Sequence, residues 1–174
     1  VVNFVDNLVN YFVLISMMGI TTVGVREIAA AHKNRKKLSK TFMSLLMLTA
    51  ISTIIAIIIL GIVMYTVPTL FPYRSLLYVG IVKLVFNLFL VEWFFMGLEE
   101  FKYITTRSIL VKCAYVLSVF LIVKEAADYK IYYILTVSFV VINAVINLFY
   151  SRHFIYYSLR DIHMRPFFKP YMIM

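Results

Sequence analysis

The sequence predicts an all-α, polytopic transmembrane helix bundle of about five spanning helices. Composition is the first of three observations behind this: 63% of the residues are hydrophobic and 14% charged, with a mean hydropathy of +0.94. Soluble domains carry roughly 45–50% apolar and 25% charged residues, so this chain cannot cover itself with polar surface in water. The second observation is that the apolar residues form blocks reaching the ~20 residues needed to cross ~30 Å of hydrocarbon at 1.5 Å per residue. The third is that lysines and arginines collect in the gaps between blocks, so the net charge of +9 reads as a topology signal rather than a nucleic-acid surface. Lone strands leave their backbone groups unsatisfied in lipid, which makes each block a helix.

The spans fall at about 4–24, 42–66, 75–97, 104–123 and 131–150. In the first, Asn3, Asp6, Asn7 and Asn10 follow an i, i+3, i+4, i+7 pattern and share one helix face. The next gap is basic, with Arg26, Lys33, Arg35, Lys36, Lys37 and Lys40. The second span carries Thr41, Ser44 and Ser52 and stops at Val67-Pro68-Thr69-Leu70-Phe71-Pro72, a breaker sequence. Lys83 and Asn87 share a face of the third span, while Glu92 lies nearly opposite, so its partner is expected on the next helix at Arg107 or Lys112. Lys112 shares a face of the fourth span with Ser108 and Tyr115, and the lone Cys113 beside it excludes an internal disulfide. Thr136, Asn143 and Asn147 line the fifth, and Pro166 and Pro170 follow it. Tyr65, Tyr73 and Tyr78 on one side, and Tyr150, Tyr156 and Tyr157 on the other, fit aromatic belts.

Charge orients the bundle. The first basic gap, Lys102 and Arg107, and the tail residues Arg152, Arg160, Arg165 and Lys169 share one side, against Arg74, Lys124 and Lys130 on the other. This bias places segments 25–40, 98–103 and 151–170 in the cytoplasm. The chain opens at Val1 already reading as helix and closes on Tyr171-Met172-Ile173-Met174 with apolar character rising, so both ends read as cut from a longer protein.

Lys83 and Lys112 are the candidates of greatest chemical interest. An ammonium inside the bilayer costs ~2.5–3.5 kcal/mol on insertion scales, so each is expected to face water or an anion, with snorkelling to the surface as the alternative. The asparagines serve either hydrogen bonds between helices or a wet cavity. Glu92 suits an ion pair or proton or sodium coupling. His32, His153 and His163 lie in gaps without metal-ligand spacing, and no Gly-rich phosphate loop or nucleophile elbow occurs, so neither metal, cofactor nor enzymatic chemistry is expected.

Two stretches carry a more specific signal: Gly19-Ile20-Thr21-Thr22-Val23-Gly24-Val25-Arg26-Glu27-Ile28-Ala29, and Val91-Glu92-Trp93-Phe94-Phe95-Met96-Gly97-Leu98-Glu99-Glu100-Phe101-Lys102-Tyr103-Ile104-Thr105-Thr106-Arg107-Ser108. With the opening Val2-Asn3-Phe4-Val5-Asp6, they resemble the polysaccharide biosynthesis protein family, the O-antigen and capsule repeat-unit flippases of the multidrug and lipid-linked oligosaccharide exporter superfamily. The resemblance implies the second to sixth helices of a two-lobe transporter in a bacterial inner membrane, working by alternating access without ATP. Its substrate would be a lipid-linked oligosaccharide, its surroundings membrane lipids and polysaccharide polymerase machinery, with no nucleic acid. On this reading Lys83, Lys112, Asn3, Asp6, Asn7, Asn10, Asn87, Asn143 and Asn147 line a substrate path. Glu99, Glu100, Lys102 and Arg107 then form a charged cytoplasmic turn that holds helix ends together or acts as a gate, with Glu92, Arg26 and Glu27 as further coupling or gating candidates. Two alternatives stay open at this point: a drug or cation antiporter of the same superfamily, and a membrane-embedded polymerase or acyltransferase.

Overall fold

The computed structural model describes residues 2–17 and 19–156. Tyr157, Arg160, Arg165 and Lys169, counted above toward an aromatic belt and the charge bias, lie outside the described residues. The helices are α1 (Val2–Met17), α2 (Ile20–Ala31), α3 (Arg35–Thr66), α4 (Arg74–Asn87), α5 (Glu92–Gly97), α6 (Phe101–Ile122) and α7 (Tyr129–Ser151). Short 3-10 turns occupy Pro68–Tyr73, Leu88–Leu90 and Ala126–Asp128, and no strand occurs among the described residues. Four segments are long and apolar enough to cross a membrane: α3, the run Pro68–Gly97, α6 and α7. The pair α1 and α2, bent by 42°, makes a fifth if it is one span. The protein is an all-α membrane bundle.

Helix breaks interrupt two of the expected spans. The segment 4–24 divides at Gly19, whose φ of 76° falls in the left-handed region that a residue without Cβ enters at no steric cost. The ladder restarts where Val23 N–H donates to the Gly19 carbonyl at 3.1 Å, and α2 then carries helix on to Ala31, through residues expected to be loop. The segment 75–97 divides at Val91, which has φ 39°, ψ 35° and no exposed surface. A β-branched residue in that region stores ~1–3 kcal/mol, so its surroundings must hold it there. The basic gap also shortens: α3 begins at Arg35 because the Asn34 side chain accepts from the backbone N–H groups of Lys36 and Lys37 at 3.1 Å each.

The α1 helix packs on α3 and α4, α2 on α3 and α5, and α4 and α6 on α7. Glycines let these helices approach. A Cβ on Gly24 would lie 2.8 Å from the Trp93 ring, and one on Gly97 would lie 2.7 Å from Ile28, so α2 and α5 interlock in both directions. Gly80 does the same for α4, with Val9 of α1 and Tyr133 of α7 against it. Two cores result. One is rich in aromatic rings, Phe42, Trp93, Phe94 and Phe95 among them, and the other is mainly aliphatic, built on Val5, Val9, Leu60, Leu77 and Leu84 around Tyr133. The outer faces of α3 and α6, including Ile54, Ile58, Ile62, Phe120 and Leu121, stay exposed, as a lipid-facing surface does.

The aromatic core marks the end of the bundle where the basic segments gather. Arg35 donates to the carbonyls of His153 at 3.0 Å and Phe154 at 3.2 Å, joining the start of α3 to the chain leaving α7. At the other end the Tyr65 and Tyr78 hydroxyls meet at 2.7 Å, and the Arg74 guanidinium sits between the rings of Tyr65 and Phe71 at 4.7 and 4.1 Å. The segments holding Lys33, Arg35 and Arg152 thus lie at one end of α3 and Arg74 at the other.

Candidate functional site

Two charged nodes and one groove hold the charged side chains of the apolar spans: Asp6 with Lys83, Glu92 with Arg107, and Lys112. The first node joins α1 to α4, where Lys83 Nζ donates to Asp6 Oδ1 at 2.6 Å and Asn10 donates to the other Asp6 oxygen at 3.2 Å. Lys83 is therefore not a free interior cation. Its side chain is 12% exposed and that of Asp6 26%, so the pair is partly open. The four-residue polar stripe of α1 splits along this line: Asp6 and Asn10 turn toward α4, whereas Asn3 and Asn7 are exposed. The buried face of α1 is instead Val2, Val5, Val9, Phe12 and Ser16. Asn87, one turn beyond Lys83, is half-buried at the end of α4.

The second node lies at the break between α4 and α5. Arg107 projects from the second turn of α6 into the bundle with only 4% of its side chain exposed, and donates to Glu92 at 2.7 Å, Ser108 at 3.2 Å and the Asn147 side-chain oxygen. Tyr103 donates to the same Asn147 oxygen at 3.1 Å while its ring stacks on Tyr150, centroids 3.7 Å apart. The Asn147 amide donates to the Leu90 carbonyl, a group that the break at Val91 leaves without a helical partner. One buried asparagine thus caps a broken span and anchors a buried cation. The Glu92 carboxylate at the start of α5 completes it, favoured there by the helix dipole.

Arg107, counted above with the loop cations and placed in a charged turn, is instead buried inside the bundle. Its pairing with Glu92 follows the sequence expectation that the carboxylate meets the next helix. The turn itself keeps Glu99 and Lys102 exposed and Glu100 half-buried at the start of α6, with Glu99 at φ 61°. Arg26 and Glu27 pair at 3.3 Å on the surface, with side chains 63% and 34% exposed.

A groove of about 180 Å³ opens between α6 and α7. Leu90, Val111, Phe139 and Val140 form its apolar wall, and Lys112, Tyr115, Thr136 and Asn143 its polar side. Tyr115 and Thr136 share a hydrogen bond of 3.1 Å. Lys112 is exposed and has no ion-pair partner among the described residues. The side-chain oxygen of Asn143 is buried without a hydrogen-bond partner. Sequence spacing brought Lys112 and Tyr115 to one face, and the fold adds Thr136 and Asn143 opposite them.

The family model for polysaccharide biosynthesis proteins matches residues 1–172. The chain belongs to that family. Comparison with curated proteins and with solved structures finds no match. Both composite motifs of this polysaccharide biosynthesis protein have structural tasks. Gly19 and Gly24 of the first shape the α1–α2 bend and the seat of Trp93, and the second, from Val91 to Ser108, contains the break, the Gly97 contact and the Arg107 node. Val91 and Tyr103 entered the sequence reading only as members of the second motif, and Leu90 only as part of the third span.

Proposed function

We propose that this polysaccharide biosynthesis protein translocates polyprenyl-diphosphate-linked oligosaccharide repeat units across a bacterial inner membrane, for O-antigen or capsule assembly, by alternating access. The observation that carries the reading is the family match over residues 1–172. The geometry of α1 supports it. Asn3 and Asn7 sit exposed on a helix of a membrane bundle, and amides facing hydrocarbon are costly, so this face belongs against a wet cavity or a second lobe. A carrier of sugars needs such a face, since many hydroxyls must be kept out of lipid. The end holding the turns at 32–34 and 98–100 then lies in the cytoplasm.

Within this reading Asp6 and Lys83 form a neutral, polar edge of the path rather than a cationic lure. The antiporter alternative is weakened by the same contacts, because a cation carrier needs an available carboxylate and the two carboxylates within the spans, Asp6 and Glu92, are both held by basic partners. Charge-neutral polar groups along α1 suit carbohydrate better.

Complementation tests the proposal. The gene is expressed in bacteria lacking their own repeat-unit flippase, with a panel of hosts covering different repeat units. The expected outcome is restored surface polysaccharide in at least one host, and a several-fold loss when Asn3 and Asn7 are both replaced by leucine with the protein still in the membrane. Failure in every host, with full membrane expression, would overturn it.

A further inference from the structure

The groove between α6 and α7 has a composition that the helix packing alone does not require. Lys112 lies eleven residues after Phe101 and ten before Ile122, roughly 15 Å from either end of α6. That is too deep for a lysine stem to carry its ammonium to water, so the charge needs a counter-ion or a wet pocket where it stands. The neighbouring helices supply no carboxylate, because Asp6 and Glu92 are held by Lys83 and Arg107. Across the groove, the Asn143 side chain carries a buried oxygen with no partner, and this amide has two N–H donors on its other atom. The Tyr115 and Thr136 hydroxyls, already bonded to each other, lie in the same lining.

We propose that this groove is an oxyanion site for a phosphate group, held by the Lys112 ammonium and by the amide N–H groups of Asn143. Its volume of about 180 Å³ admits a phosphate with a few waters and falls below the ~300–1,000 Å³ typical of sites that enclose larger organic ligands. The sugars of a lipid-linked substrate therefore stay outside it. Phe139 and Val140 give the groove an apolar wall that suits the first carbons of an attached lipid chain. The site takes the phosphate end of a lipid, or a free phosphate reaching the groove from water. Its role in translocation rests on the flippase reading, but its binding chemistry does not.

The experiment measures retention of phosphatidic acid against diacylglycerol, which lacks the phosphate, by native mass spectrometry of the purified full chain, offered the two lipids in equal amounts. A parallel arm adds inorganic pyrophosphate as competitor. The wild type is expected to retain phosphatidic acid preferentially, Lys112→Gln to lose at least tenfold of that preference, and Lys112→Arg to keep most of it. Lys124→Gln, in the exposed turn before α7, should leave it unchanged. Competition by pyrophosphate assigns the site to any phosphate oxyanion, and preference without competition assigns it to the lipid-borne form. No preference in the wild type, an unchanged preference in Lys112→Gln, or equal loss in Lys124→Gln overturns the site. A protein that retains phosphatidic acid but restores no polysaccharide keeps the site and removes the flippase; one that restores polysaccharide with Lys112→Gln indifferent in retention does the reverse.

Discussion

The two charged nodes look alike in sequence, each a basic residue and a carboxylate placed within apolar runs, and they differ in how far their hydrogen bonds are used up. At the Arg107 node, guanidinium, amide, phenol and backbone carbonyl are knitted together across α6, α7 and the break before α5. At the Asp6 node a single ammonium and a single amide meet one carboxylate, beside a face of α1 that is otherwise open. A network of several mutually oriented bonds is rigid and costly to disturb, while a two-bond node can exchange partners with water or ligand at small cost. The first node therefore holds the fold, and under the proposed function the second borders the path.

Removing Arg107 should break that contrast most severely. Arg107→Ala strips Asn147 and Glu92 of their shared donor inside the bundle and is expected to destabilise by on the order of 3–5 kcal/mol, seen as a large loss of thermal stability in detergent. Glu92→Gln, at a carboxylate 44% exposed, should cost only about 1 kcal/mol in the same assay. Next in size is Gly80→Val, whose Cβ would stand 2.5 Å from Val9, prying α1 from α4 at a cost of ~1–3 kcal/mol. At the other node, Asp6→Asn and Lys83→Gln should show a coupling of about 1 kcal/mol in a double-mutant cycle, well below that between Arg107 and Asn147. A larger coupling at Asp6 would erase the distinction. Smallest is Glu99→Gly, which relieves a left-handed backbone at an exposed turn; it should stabilise by up to about 1 kcal/mol in the same thermal assay.

Much of the bundle was readable because membrane solvent imposes few solutions: long apolar blocks become helices, and basic gaps gather at one end. The breaks at Gly19 and Val91 were not, since apolar composition runs through both and helix and break look the same to a hydropathy window. Val91 in particular is a residue that local preference would not place in the left-handed region; its burial in the aromatic core and the Asn147 bond to the Leu90 carbonyl hold it there. The Asp6–Lys83 pair joins residues 77 positions apart, so periodicity gave each a face but no partner. Lys112 and Lys83 were indistinguishable in sequence for the same reason. The fold separates them by giving one a carboxylate and leaving the other at a groove.

Export by this chain is tested most closely by measuring translocation itself. The purified full chain is reconstituted in sealed liposomes containing a polyprenyl-diphosphate oligosaccharide, and the fraction of sugar exposed to a membrane-impermeant lectin is followed over time. Exposure is expected to rise well above that of protein-free liposomes, and to fall when Asn3 and Asn7 are replaced by leucine. Exposure no faster than in protein-free liposomes, across repeat units of several kinds, would contradict it.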